Sequence, residues 1–193
     1  MTAQPPVIIV SGPSGVGKST LIRRLLRECG VPLRVSVSAT TRAPRTGEQE
    51  GVAYYFWSPE HFEREVEAGR FLEYADVVGH RYGTPLGEID KARQLGCGVV
   101  LDIDVQGAEQ IRAKIPECVS IFLYASSMEE YEKRLRGRGT ENEAAIAKRL
   151  ANAQHELERM GEYTYQVRND DLDTAVAQVC NLIKRHFSTT KSP

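Results

Sequence analysis

The stretch VIIVSGPSGVGKSTLIRRLLREC, residues 7–29, decides how the rest of the chain is read. Its first four residues are apolar, as in a strand buried on both faces. Its last part puts Leu21, Ile22, Leu25, Leu26 and Cys29 on one face of a helix, which Gly30 and Pro32 end. Between the two, Gly12, Gly15 and Gly17 allow backbone angles and close approaches that a Cβ would block. Such a loop turns successive N–H groups inward and forms an anion cradle. The helix behind it adds the partial positive charge of its N-terminus. Lys18 brings a full charge to the end of the loop, and Ser19 offers a hydroxyl to a magnesium ion. The spacing Gly12-x-x-x-x-Gly17-Lys18-Ser19 fits the phosphate-binding loop pattern in the strand–loop–helix context the pattern requires. Pro13, Ser14, Val16 and Thr20 complete the cradle for nucleotide phosphates. GTPases, ATPases and kinases share it, so the loop alone does not choose a reaction.

Working outward, strand-like and helix-like segments alternate at both ends of the chain. Strands are predicted over Val7–Val10, Leu33–Ser38, the segment GVVLDID (98–104), VSIFLYA (119–125) and YQV (165–167). Helices are predicted from Thr84-Pro85 to near Gly96, over 106–114, from a Ser127/Glu130 capping box to about 136, from a Thr140/Glu143 capping box to about Met160, and over 172–187. This order predicts an α/β fold, a parallel sheet flanked by helices with right-handed crossovers. Residues 33–83 break the alternation. There a polar loop over 39–51, strands VAYYF (52–56) and RFLEYADVV (70–78), a helix opened by Ser58-Pro59 and closed by Gly69, and a turn GHRYG (79–83) predict an inserted, more antiparallel lobe. Ligands of such sheets sit at the carboxyl ends of the strands, where the loop, Asp102 and Asp104 fall.

The 193 residues suit one domain with a sizeable core, and the 41% hydrophobic and 26% charged content is globular. A net charge of −1 leaves no general basic field, so neither nucleic acid nor a membrane surface is expected as a partner. No apolar run approaches a membrane span, and MTAQPP lacks the parts of a signal peptide; a cytoplasmic setting is expected. The four cysteines are scattered and pair with no histidines, which predicts reduced thiols rather than zinc.

Three clusters point to phosphate chemistry beyond the loop. Asp102 and Asp104, at the end of an apolar strand with period-two spacing, suit a magnesium site reached directly or through water. Arg42 and Arg45, with Tyr54 and Tyr82, can clamp a second phosphate. Arg134, Arg136, Arg138 and Arg149 straddle a helix, a glycine hinge at Gly137/Gly139 and a second helix, and arginines there can close over a phosphate in transfer. Two anion sites in one small chain imply transfer from one phosphate to another. No catalytic triad or general base appears, and none is needed, because a phosphate monoester is mostly dianionic at neutral pH, with a second pKa of about 6.

SGPSGVGKST, SVSATTRAPRTGE, GVAYYF, FLEYADVVGHRYGT, LDIDVQG, RLRGRGTE and NDDLD occur in the order found in guanylate kinases, and the chain resembles that family from about Val7 to Phe187. The resemblance implies transfer of the γ-phosphate of ATP to GMP, with Mg2+, in one domain over about 5–188. It divides that domain into a core (about 5–37, 85–125 and 162–188), a GMP-binding lobe (about 38–84) and a lid (about 126–161). It implies Arg42, Arg45, Tyr54 and Tyr82 as the GMP phosphate clamp. Ser38, Glu73 and Thr84 would form the guanine pocket, with Asp102 and Asp104 beside it. Lys18, Arg42, Arg134, Arg138 and Arg149 would carry the transfer, Ser19 and Asp102 the metal, and Asn169 part of the adenine site. Strand alternation is expected to set Phe71 and Glu73 on one side. Trp57 and Arg168 depart from the smaller or more neutral residues expected there, at no catalytic position. Two rivals remain: a non-catalytic phosphopeptide-binding module of the same fold, which ADP formation would exclude, and a nucleoside monophosphate kinase with another acceptor. No obligate protein partner is expected, and dGMP as an acceptor is left open.

Overall fold

Why the chain folds in two layers on either side of a sheet is visible in its first strand. In the computed structural model, which describes residues 4–77, 79–137 and 142–189, β1 (Val7–Ser11) is buried along its whole length. Ile8 and Val10 join one apolar cluster and Val7 and Ile9 the other, because successive side chains of a strand point to opposite faces. Beyond β1, the core elements are α1 (Lys18–Glu28), β2 (Leu33–Val35), α3 (Gly87–Gln94), β7 (Gly98–Asp102), α4 (Val105–Lys114), β8 (Val119–Tyr124), β9 (Tyr165–Arg168) and α7 (Leu172–Thr189). The strands form a five-stranded sheet in the order β2-β7-β1-β8-β9, and every pairing is parallel. Leu21, Ile22 and Leu25 of α1 pack with Val176, Val179 and Ile183 of α7 on one face. Ile89 and Ala92 of α3 and Ala108 and Ile111 of α4 cover the other.

The second sheet contains β3 (Ala39–Thr40), β4 (Tyr55–Phe56), β5 (Phe71–Val77) and β6 (His80–Pro85), in the order β4-β3-β6-β5. It is mixed: β3 pairs β4 in parallel, while β6 runs antiparallel to both β3 and β5. α2 (Pro59–Glu67), capped by the Ser58 side chain, contributes Phe62 to a small apolar cluster with Phe71 and Ala39. α5 (Met128–Arg136) and α6 (Glu143–Glu158) lie between β8 and β9 in the chain.

Several local expectations are corrected. The GHRYG segment is mostly strand, and Thr84-Pro85 ends β6 instead of opening α3. Tertiary pairing on both sides of β6 overrides its turn-like composition. Gly83 fits there because a Cβ would meet the Phe71 ring at 2.7 Å and the Glu73 carbonyl at 2.8 Å. The polar 39–51 segment contains β3, and only Tyr55–Phe56 of VAYYF is strand. A register shift between Phe71 and Glu73 interrupts the alternation expected of that strand. Phe71 stacks on Phe62 while Glu73 opens on the cavity described below. Ser127 makes no side-chain cap bond to α5, and Asn142 caps α6 by accepting from the Ala145 N–H. Thr140, Arg138, Gly139 and Val78 lie outside the described residues. The cysteines are free, as expected, with Cys29, Cys118 and Cys180 buried.

Candidate active site

The loop after β1 is built against the body of the protein. Gly12 has φ 141°, and a Cβ there would lie 2.2 Å from the Leu123 carbonyl oxygen, so only glycine lets the loop approach β8. Val16 N–H donates to the Pro13 carbonyl and turns the loop over. α1 then starts at Lys18 behind Gly17, a left-handed residue with no side-chain cap. The helix therefore presents uncapped N–H groups, the arrangement that favours an anion. Lys18 Nζ donates to the Gly12 carbonyl at 2.5 Å, folding the ammonium over the cradle. Ser19 Oγ lies 3.5 Å from Asp102 Oδ2, and Thr20 is exposed beside them.

A cavity is lined by Ser38, Tyr54, Glu73, Tyr82, Asp102 and Asp104, with Ala75, Val77, Gly83 and Ile103. It joins the second sheet to the end of β7. Glu73 is only 4% exposed, and Thr84 Oγ1 donates to its Oε1 at 2.7 Å. Burial pushes the Glu73 carboxyl up to about 7; the Thr84 bonds oppose this and the Asp104 charge adds to it. Its Oε2 rests at the start of α4, where a Cβ on Gly107 would come within 2.6 Å of it. Asp104 lines the cavity and also caps α4, its Oδ1 accepting from the Gly107 N–H at 2.8 Å.

Arg42 sits at the cavity's other end. Its Nε donates to the Tyr82 hydroxyl at 3.2 Å, and its guanidinium lies 5.6 Å from the Tyr54 ring centroid. Arg42 Nη2 also donates to both oxygens of Glu48 at 2.9 Å. The backbone N–H of Arg45 donates to the same carboxylate, and the Arg45 side chain is exposed.

Groups from α5, α6 and the β9–α7 junction meet the loop from outside. Arg149 Nη1 donates to Ser14 Oγ at 2.8 Å. The Val16 carbonyl accepts from Arg134 Nη1 at 3.2 Å and from Asn169 Nδ2 at 2.7 Å. Arg134 Nη2 also donates to the Asn169 carbonyl. Buried Asn169 keeps one polar atom, Oδ1, without a partner. Gly17, Thr20, Arg134, Asn169, Asp170 and Leu172 line a second cavity beside the loop. Glu156 of α6 feels the charges of Lys18 and Asp104, and burial pushes its carboxyl up to about 7.

The structure thus gathers Ser38, Tyr54, Glu73, Tyr82, Asp102 and Asp104 in one cavity, with Thr84 behind Glu73 and Arg42 at the rim. Arg138 lies outside the described residues. Sequence reading missed Glu48, Gly107 and Glu156. Glu48 lies in the quoted motif SVSATTRAPRTGE, and a carboxylate six residues after Arg42 on one loop was a usable signal. Gly107 lies in the quoted motif LDIDVQG, but its part in the site, like that of Glu156, depends on residues distant in the chain.

A family model described as guanylate kinase matches residues 4–186. The chain is 49% identical to a guanylate kinase of Synechococcus sp. (strain CC9311) over 177 residues, 92% of each chain. It is 48% identical to one of Rubrobacter xylanophilus over 180 residues, 93% of each. Its backbone is similar to the crystal structure of guanylate kinase from Anaplasma phagocytophilum, with a TM-score of 0.75, 30% identity, and coverage of 96% of this chain and 87% of that one. With a family model spanning residues 4–186 and relatives nearly half identical over more than nine-tenths of the chain, the chain belongs to the guanylate kinase family.

Proposed function

We propose that this protein transfers the γ-phosphate of ATP to GMP, giving ADP and GDP, with GMP in the Glu73 cavity and ATP on the loop. The observation that carries this reading is the buried Glu73 carboxylate in a cavity whose Asp102 lies 3.5 Å from Ser19 behind the loop. Guanine offers two adjacent donors, N1–H and the exocyclic amine, and a carboxylate offers two acceptors at matching spacing. Adenine would turn a lone pair at N1 towards it. The GMP phosphate reaches Arg42, Arg45, Tyr54 and Tyr82, its oxygens taking the place of the Glu48 carboxylate on Arg42. The adenine of ATP occupies the cavity lined by Asn169 and Arg134.

A GMP phosphate oxygen attacks the γ-phosphorus as the bond to the β-phosphate oxygen breaks, and ADP leaves. The protein aligns the two nucleotides and neutralises charge. Lys18 follows the migrating group, and Arg134, Arg138 and Arg149 close over it. Ser19 and Asp102 present two hard oxygen donors, 3.5 Å apart, that would hold Mg2+. When bound, the ion neutralises charge on the phosphates being exchanged. The division into core, GMP-binding lobe and lid follows the two sheets and the α5–α6 pair. The free cysteines accord with a cytoplasmic setting.

A coupled ADP-release assay with ATP and each of GMP, AMP, CMP and UMP tests the reading. Turnover is expected with GMP and nearly absent with the others. Equal turnover with two acceptors, or none with any, would overturn it. Lys18→Ala should stay folded and lose about 100- to 1000-fold in kcat, as when one donor to a developing charge is removed.

A further inference from the structure

Glu88, in the first turn of α3, has no part in the steps above, yet it is 1% exposed. Its Oε2 accepts from the Val37 N–H at 2.9 Å and from Arg34 Nη2 at 3.4 Å. Its Oε1 accepts from the Tyr55 hydroxyl at 3.0 Å and from Lys91 Nζ at 2.9 Å. Lys91 Nζ also donates to the Tyr55 hydroxyl at 2.8 Å and lies 5.2 Å from that ring's centroid. The donors come from both sheets. Arg34 and Val37 belong to β2 and the chain leaving it for the second sheet, and Tyr55 is on β4. Glu88 itself stands just where the chain has returned from β6. One carboxylate therefore ties the outgoing crossing, the returning crossing and the flank of the second sheet together.

We propose that Glu88 is a positioning residue that holds the second sheet, and with it the acceptor nucleotide, in place relative to the phosphate-binding loop. The link runs through β4. Tyr55 stacks with Trp57, at 6.1 Å between centroids, on the side facing Glu88. Tyr54 and Phe56 point the other way, as alternation requires, and pack edge to face with each other beneath Arg42. Holding Tyr55 thus sets where Tyr54 and Arg42 stand. Burial pushes the Glu88 carboxyl up, but the bonds from Lys91, the Val37 N–H and Tyr55 outweigh it and hold it below the usual range. The group is ionised at neutral pH, and a buried charge stripped of one donor loosens the whole junction. Phosphoryl transfer is sensitive to such loosening, because a misplaced acceptor loses its alignment with the γ-phosphate.

This inference rests on reading the second sheet as the GMP-binding lobe, so the test separates the two. Tyr55→Phe, which removes only a hydroxyl, is compared with Glu88→Gln, with the double variant and with Arg42→Ala. Each of the first two is expected to raise KM for GMP by about fivefold to tenfold, with KM for ATP within about twofold of wild type. The double variant should fall short of the product of the two single effects, since the substitutions share the Tyr55–Glu88 bond. Acrylamide quenching of Trp57, the chain's only tryptophan, should rise in the same variants. If Tyr55→Phe and Glu88→Gln lower Tm but leave KM for GMP unchanged, or shift both KM values equally, Glu88 is a structural ion pair and the inference fails. If Arg42→Ala also leaves KM for GMP unchanged, the assignment of the second sheet fails with it. Should Glu88→Gln not fold, Tyr55→Phe decides alone.

Discussion

At Glu73 burial raises the proton affinity of the carboxylate that the proposed guanine contact needs ionised. Its folded value of about 7 stands above the ordinary 4.5. The guanine donors need the ionised form, so GMP binding should strengthen as pH rises through about 7, and binding below that pH should release a proton. For the free protein the sign is opposite. A raised folded value contributes stability that is fully present below about 4.5 and is lost as pH rises through 7, by about 3 kcal/mol in all. Glu73→Gln should remove both dependences, seen as a flattened pH profile of KM for GMP and a smaller fall of Tm with pH than wild type. It should also cut the GMP-to-AMP ratio of kcat/KM by about 100-fold, because an amide NH2 then meets the guanine amine. An unchanged ratio would remove Glu73 as the guanine reader. The residue was legible from the sequence only through its motif. Its isolation from water, which sets its proton affinity, comes from β6 and α4.

Elements were legible where their signals were local. α2 announced itself through Ser58 and Pro59, where the helix starts as expected, and the Ser58 side chain caps it. β6 did not, because GHRYG read as a turn and Thr84-Pro85 as a helix start, and only pairing with β3 and β5 makes them strand. The start of α4 carries a consequence for the site. Its Gly107 leaves room for Glu73 Oε2, which a Cβ would approach to 2.6 Å. Gly107→Ala should therefore raise KM for GMP by about 10- to 100-fold through a misplaced carboxylate, while KM for ATP holds. Alanine is the better helix former by about 1 kcal/mol, so lost helix propensity would not explain the defect. Normal KM for GMP in this variant would mean that Glu73 shifts without cost.

Across the whole molecule, α5 and α6 already touch the loop through Arg134 and Arg149. A pair of helices joined to the body on one side and resting on the nucleotide site on the other suits a lid. The radius of gyration in solution scattering should fall when GMP and a non-hydrolysable ATP analogue are present together, and by less with either alone. Closure of this kind also keeps water from the γ-phosphate. The same radius in every state would count against a lid.

The glycine-rich loop, the alternation of strands and helices in the core and the family motifs were determined by the sequence alone. Each depends on neighbours in the chain: glycines where the backbone must turn, a lysine at a helix start, apolar residues at the period of their element. The Glu48 partner of Arg42, the glycine beneath Glu73 and the carboxylate that holds the two sheets together were decided only by tertiary structure. Val37 and Glu88 stand 51 residues apart in the chain, and no local pattern marks a bond between them. A buried charge takes its meaning from the donors that folding brings to it.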